Sequence, residues 1–134
     1  MPNKFGRQIA DASLVVTTAF PAAAGTANSN SIDTGSTYSQ NERMEYSLTW
    51  PLLSALADTK NVIFNVQDSA DGSTGWTNIG ITKTITGAGG IGVAAGEYLF
   101  RIASTTRRYI RVTAAEDAAG GTITASNYVV TPYY

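Results

Sequence analysis

Several segments of this chain carry apolar residues at every second position. Met44, Tyr46, Leu48 and Trp50 alternate with Glu45, Ser47 and Thr49, the period of a half-buried β-strand. Pro51 ends that run, because proline brings no N–H to a sheet ladder. The same period places Val62, Phe64 and Val66 on one face of 61–67, and Ile79, Ile81 and Ile85 on one face of 76–85. Asp68 to Gly75 between them is rich in residues that accept turn geometry, which predicts a hairpin with a long loop. Tyr98, Phe100 and Ile102 share a face of 97–103, and Ile110 and Val112 share a face of 108–113.

Weaker signals fill the remainder. Leu14 to Thr18 is a short β-prone run stopped by Pro21, and 26–41 reads mostly as loop with an edge strand near Ser31-Ile32-Asp33. Ala22-Ala23-Ala24-Gly25 is too short to nucleate more than a helical turn. Leu52, Leu53, Leu56 and Ala57 have the spacing of one or two turns of helix. Gly87 to Gly92 is a flexible connection, and Gly120-Gly121 opens a last strand through Ile123, Ala125 and Val129. About eight short strands at this spacing predict an all-β antiparallel sandwich, jelly-roll-like, over 13–134, preceded by an N-terminal arm at 1–12.

Composition narrows the chemistry. The 134 residues suit one domain, able to bury roughly two-thirds of the surface of its unfolded chain. Histidine and cysteine are both absent, so triads built on histidine, thiolate nucleophiles and the usual zinc sites are excluded. The expectation is a protein that is not an enzyme and needs no cofactor. Nine basic and ten acidic residues are scattered without the basic concentration of a nucleic-acid binder. Charged residues make up only 14% of the chain, and Ala, Thr, Ser, Gly and Asn stand in their place, a surface suited to burial in an assembly. No stretch approaches the ~20 apolar residues of a membrane span. Met1 to Arg7 leads into polar residues rather than a signal-peptide core, which predicts synthesis in the cytosol.

Candidate motifs resolve mostly into turns. Asp68-Ser69-Ala70-Asp71-Gly72-Ser73 holds two carboxylates, but it lacks the alternating ligands and distal glutamate of a calcium loop. Thr86-Gly87-Ala88-Gly89-Gly90-Ile91-Gly92 lacks the Gly-Lys-Ser/Thr ending of a phosphate loop. Glu42, Glu45, Glu116 and Asp117 read as solvated charges, with no spacing that predicts an acid/base pair. Arg107, Arg108 and Arg111 form the one basic cluster. Strand alternation puts Arg107, Tyr109 and Arg111 on one face, where arginine and tyrosine suit a protein interface, a base or a sugar.

The chain is similar to the small jelly-roll cement (decoration) proteins of tailed-phage capsids. The likeness rests on Phe20-Pro21 leading to Ile32-Asp33-Thr34-Gly35, on Leu53-Ser54-Ala55-Leu56-Ala57-Asp58 before a strand, on Val66 to Ser73, and on Arg108-Tyr109-Ile110-Arg111-Val112. It runs in order over most of the chain. The resemblance implies a homotrimeric virion protein on the capsid surface, bound between major capsid proteins and stabilising the head, with no contact to nucleic acid or membrane. It brings no catalytic residue. Arg7, Tyr109 and Arg111 are the candidate interface residues on physical grounds. The alternatives are a carbohydrate-binding sandwich using Trp76, Tyr109, Tyr133 or Tyr134, a carboxylate-only hydrolase, and a tail or fibre component.

Overall fold

The computed structural model describes residues 14–35, 45–103 and 105–133. The proposed arm, Arg7 and Tyr134 lie outside these residues. The described chain forms nine strands and no helix: β1 Val16–Ala19, β2 Thr26–Asn28, β3 Ile32–Asp33, β4 Glu45–Trp50, β5 Asn61–Ser69, β6 Thr77–Thr86, β7 Gly96–Phe100, β8 Tyr109–Glu116 and β9 Asn127–Tyr133. They make two antiparallel sheets. One has the order β1-β9-β4-β7, and the other the order β2-β8-β5-β6 with β3 also on β8.

β2 and β3 pair with the same edge of β8, at Asn28↔Thr113 and Ile32↔Ile110, so they are one interrupted strand. The interruption sets three residues against two. Ser29 fills the gap by accepting the Val112 N–H on its Oγ at 3.0 Å and donating its own N–H to the Val112 carbonyl. In the sequence 26–28 reads as loop because Thr26, Ala27 and Asn28 are too few to carry a period of their own. Pairing with β8 makes the strand, a tertiary effect that outweighs local propensity.

The expected inward rows of β4 to β8 are observed. Tyr46, Leu48, Val62, Phe64, Val66, Ile85, Phe100, Ile110 and Val112 are buried between the sheets. Phe64 sits among Phe20, Trp50 and Tyr128, with ring centroids 6.0, 5.8 and 5.4 Å away. Tyr46, Phe100 and Tyr98 form a second stacked row. Gly96 lies opposite Trp50, and a Cβ there would come within 2.6 Å of the indole, so only glycine lets the ring lie flat across β7. Tyr128 spans the sandwich: its hydroxyl lies 2.9 Å from the Val112 carbonyl and 3.1 Å from that of Ala27 in the facing sheet. Burial pushes its phenol up to about 12.

Three expectations need correction. Leu52 to Ala57 is not helical; Leu53 bridges Val93 and a turn closes from Leu56 N–H to the Leu53 carbonyl. The hydrophobic spacing there marks two inward anchors on a loop, Leu53 and Leu56. In β9 the inward row is Tyr128 and Val130, so Val129 faces outward. β4 is buried on both faces at Glu45 and Ser47, where neighbouring side chains cover its outward residues: the Ser47 hydroxyl donates to Glu97 at 2.7 Å and Arg101 pairs with Glu45 at 3.2 Å.

Candidate functional site

β8 carries the predicted cluster, and its first turn of chain divides the cluster in two. The strand begins at Tyr109, so Arg107 and Arg108 precede it and do not follow its alternation. The expected common face for Arg107, Tyr109 and Arg111 therefore holds only for the last two.

Arg107 turns to the sandwich end and clamps the β5–β6 loop. Its Nε and Nη2 donate to Asp68 Oδ1 at 3.0 and 2.7 Å, and its backbone N–H donates to Asp68 Oδ2 at 2.9 Å. The same Nη2 lies 2.8 Å from the carbonyls of Asp68 and Gly75. One side chain thus ties the root of the loop to its far end. Arg108 forms a two-pronged pair with Asp33 of β3, 2.8 Å on each prong. Those bonds, outweighing desolvation and aided by the Gly35 N–H, hold the Asp33 carboxyl below its ordinary value.

Asp71 organises the loop itself. It accepts from the N–H groups of Thr74 and Ser73 at 2.8 and 2.9 Å, and from the hydroxyls of Thr74 and Ser69. These donors hold its carboxyl well below the usual carboxylate range. Its oxygens are engaged by the loop's own donors, which is the chemistry of a rigid turn. Gly72, at φ +77°, passes directly over Tyr109, where a Cβ would sit 3.0 Å from the ring. Arg108 lies 5.2 Å from the same ring. Tyr109 is therefore half-buried support for the loop.

Arg111 is placed differently. It lies on the outer face of its sheet, with its guanidinium 4.4 Å from the Trp76 ring centroid and its Nε donating to Gln67 at 2.8 Å. Gln67 in turn donates to Asn78 at 2.8 Å. The face continues as a polar ladder across β5 and β6, with Thr82 donating to Asn65 at 2.8 Å and Thr86 to Asn61 at 2.6 Å. Trp76 was legible in the sequence only as an isolated aromatic. Its place over Arg111 follows from β8 lying beside β5, which no local signal announces.

The open edge between β6 and β7 holds a cleft of about 380 Å³ lined by Asp68, Ile79, Ile81, Arg101, Ala103, Thr105 and Thr106. Its one carboxylate is held by Arg107, and Arg101 pairs with Glu45 at 3.2 Å. Glu116, expected to be solvated, is instead 4% exposed, with neither carboxyl oxygen hydrogen-bonded. Burial, and then the neighbouring Asp117, raise its carboxyl above the ordinary glutamate value. Compared with known proteins, the chain matches no family model and is significantly similar to no curated protein.

Proposed function

We propose that this protein is a capsid cement (decoration) protein, which binds between major capsid proteins of a tailed phage and stabilises the head without catalysing a reaction. The observation that carries the reading is the outer face of β5, β6 and β8, an ordered and almost uncharged polar surface with an arginine and a tryptophan fixed at one end. Arginine and aromatic residues are enriched, and other charges depleted, at the centres of protein interfaces. A rigid face loses little conformational freedom when it docks. The strand order supports the jelly-roll part of the reading. With β2 and β3 counted as one, eight strands divide four and four, and the chain changes sheet between most successive strands.

Such a protein acts by binding energy alone. Greater affinity for the assembled lattice than for free subunits shifts the equilibrium toward the closed shell. A homotrimer would make the second and third attachments intramolecular. Two measurements test this. Cryo-electron microscopy of purified virions should place the protein between major capsid subunits, and its absence from heads would overturn the reading. Sedimentation should give a trimer, and a monomer at micromolar concentration would remove that part. The carbohydrate reading is weaker, because Trp76 is capped by Arg111, Tyr109 lies under Gly72, and Tyr133 follows the outward row of the opposite sheet. These three described aromatics form no common stacking platform.

A further inference from the structure

The described arginines differ in one respect. Arg101, Arg107 and Arg108 each pair with a carboxylate, at 3.2, 2.7 and 2.8 Å. Arg111 has no carboxylate partner among the described residues; it touches the Trp76 ring and the Gln67 amide oxygen. Its outward neighbours on β5 and β6 are amides, hydroxyls and an isoleucine, so nothing in the paired positions around it compensates the charge.

From this we infer that Arg111 is a preformed receptor for a carboxylate, an Asp or Glu side chain presented by the protein partner that covers this face. The inference rests on the proposed docking role and names the chemistry of the partner. Three observations support it. The Nε–H is used by Gln67, which fixes the plane of the guanidinium and leaves its terminal nitrogens without a hydrogen-bond partner among the described residues. Trp76 holds the opposite position, and its own place is set by Arg107 reaching Gly75, the residue before it. The charge is also partly desolvated, which lowers the guanidinium's pKa and makes a compensating anion more valuable. An arginine immobilised beforehand loses less freedom on forming a charge-assisted bond than a free surface lysine would. A carboxylate fits the terminal nitrogens, whereas a neutral amide supplies no charge.

The test uses the full chain, labelled with nitrogen-15, and titrates it with two blocked tripeptides, acetyl-Gly-Glu-Gly-amide and its Gln counterpart. The Trp76 indole and Arg111 Nε–H signals report binding. The Glu peptide should move both and bind about tenfold more tightly than the Gln peptide. Arg111→Gln should remove that preference, and Arg111→Lys should reduce it, since the ammonium lacks the planar fork. Unmoved signals, or equal affinity for the two peptides, would overturn the inference. Tighter binding of glucuronate than of the Glu peptide would overturn the protein partner in favour of an acidic sugar. If Arg111→Gln does not fold, the two peptides on the unaltered chain still decide. A parallel measurement compares head occupancy of the unaltered chain and Arg111→Lys. Failure of both to bind heads would remove the capsid reading while the titration still judged the carboxylate site. Equal full occupancy would overturn a role for Arg111 in docking.

Discussion

The two ends of β8 treat their charges in opposite ways. Where the strand begins, Asp68, Asp33 and Asp71 each receive two or more donors, from Arg107, from Arg108 and from the loop's own backbone. Where it ends, Glu116 is buried against Gly120 with no hydrogen bond to either oxygen, and a Cβ on Gly120 would lie 2.6 Å from its Oε1. Between the ends, Val112 offers its carbonyl to Tyr128 from the facing sheet. A carboxylate at the first end contributes to a defined loop shape. At the second it is a cost, because an unsatisfied polar group retains its desolvation penalty. One strand thus carries a corner whose carboxylates are satisfied and another whose carboxylate is not, and the outer face bearing Arg111 starts from the satisfied corner.

The largest effect should come from breaking the satisfied end. Asp68→Ala removes the acceptor for the Arg107 backbone and side chain together, and should lower unfolding free energy by about 2–3 kcal/mol. Chemical denaturation measures it, and the Trp76 indole signal should broaden as the loop loses its anchor. A native Trp76 signal in that variant would show that the clamp does not position the loop.

Relieving the other end should work in reverse. Glu116→Met, which keeps the length and removes the carboxyl, should stabilise the protein at neutral pH by about 1–2 kcal/mol. The sign of the pH dependence follows from the raised folded value of Glu116. Its contribution is full below the unfolded value of about 4.3 and is lost as pH rises through the folded value. Asp33 and Asp71 have lowered values, so their contributions are present above the unfolded range and lost only in acid. The melting temperature of the parent should therefore fall relative to Glu116→Met between about pH 4 and neutrality. Parallel curves over that range would refute the buried carboxyl as the cause.

A smaller effect belongs to the middle of the strand. Tyr128→Phe keeps the ring against Phe20 and Phe64 and deletes the hydroxyl facing Val112 and Ala27, and should cost about 1 kcal/mol. The amide protons of β2 should exchange faster in that variant, since the hydroxyl is one of few links from β9 to that short edge.

Most of the sheet content was legible along the chain. The rows Tyr46-Leu48-Trp50, Val62-Phe64-Val66 and Ile110-Val112 alternate strongly enough to predict both strand and inward face, and each is buried as expected. The turn after β5 was announced by composition, but it begins two residues later than the expected 68–75 connection, because pairing with β8 carries β5 through Asp68 and Ser69. Leu53 and Leu56 misled because inward anchors on a loop share spacing with one helical turn. Val129 misled because parity cannot be carried across a turn of unknown shape.

The site was only partly readable. Tyr109 and Arg111 could be placed on one face from alternation alone, since a strand fixes parity within itself. Arg107 and Arg108 could not, because where a strand begins depends on its partners. What the sequence by itself determined is the all-β class, the inward rows of the long strands and the shortage of charge. Only the tertiary structure decided which acid meets which arginine, that Glu116 is buried, and that Trp76 covers Arg111. The physical reason is range: alternation and turn chemistry act over a few residues, whereas Asp33 to Arg108, Asp68 to Arg107 and Trp76 to Arg111 are joined by sheet order, which brings together residues 75, 39 and 35 positions apart.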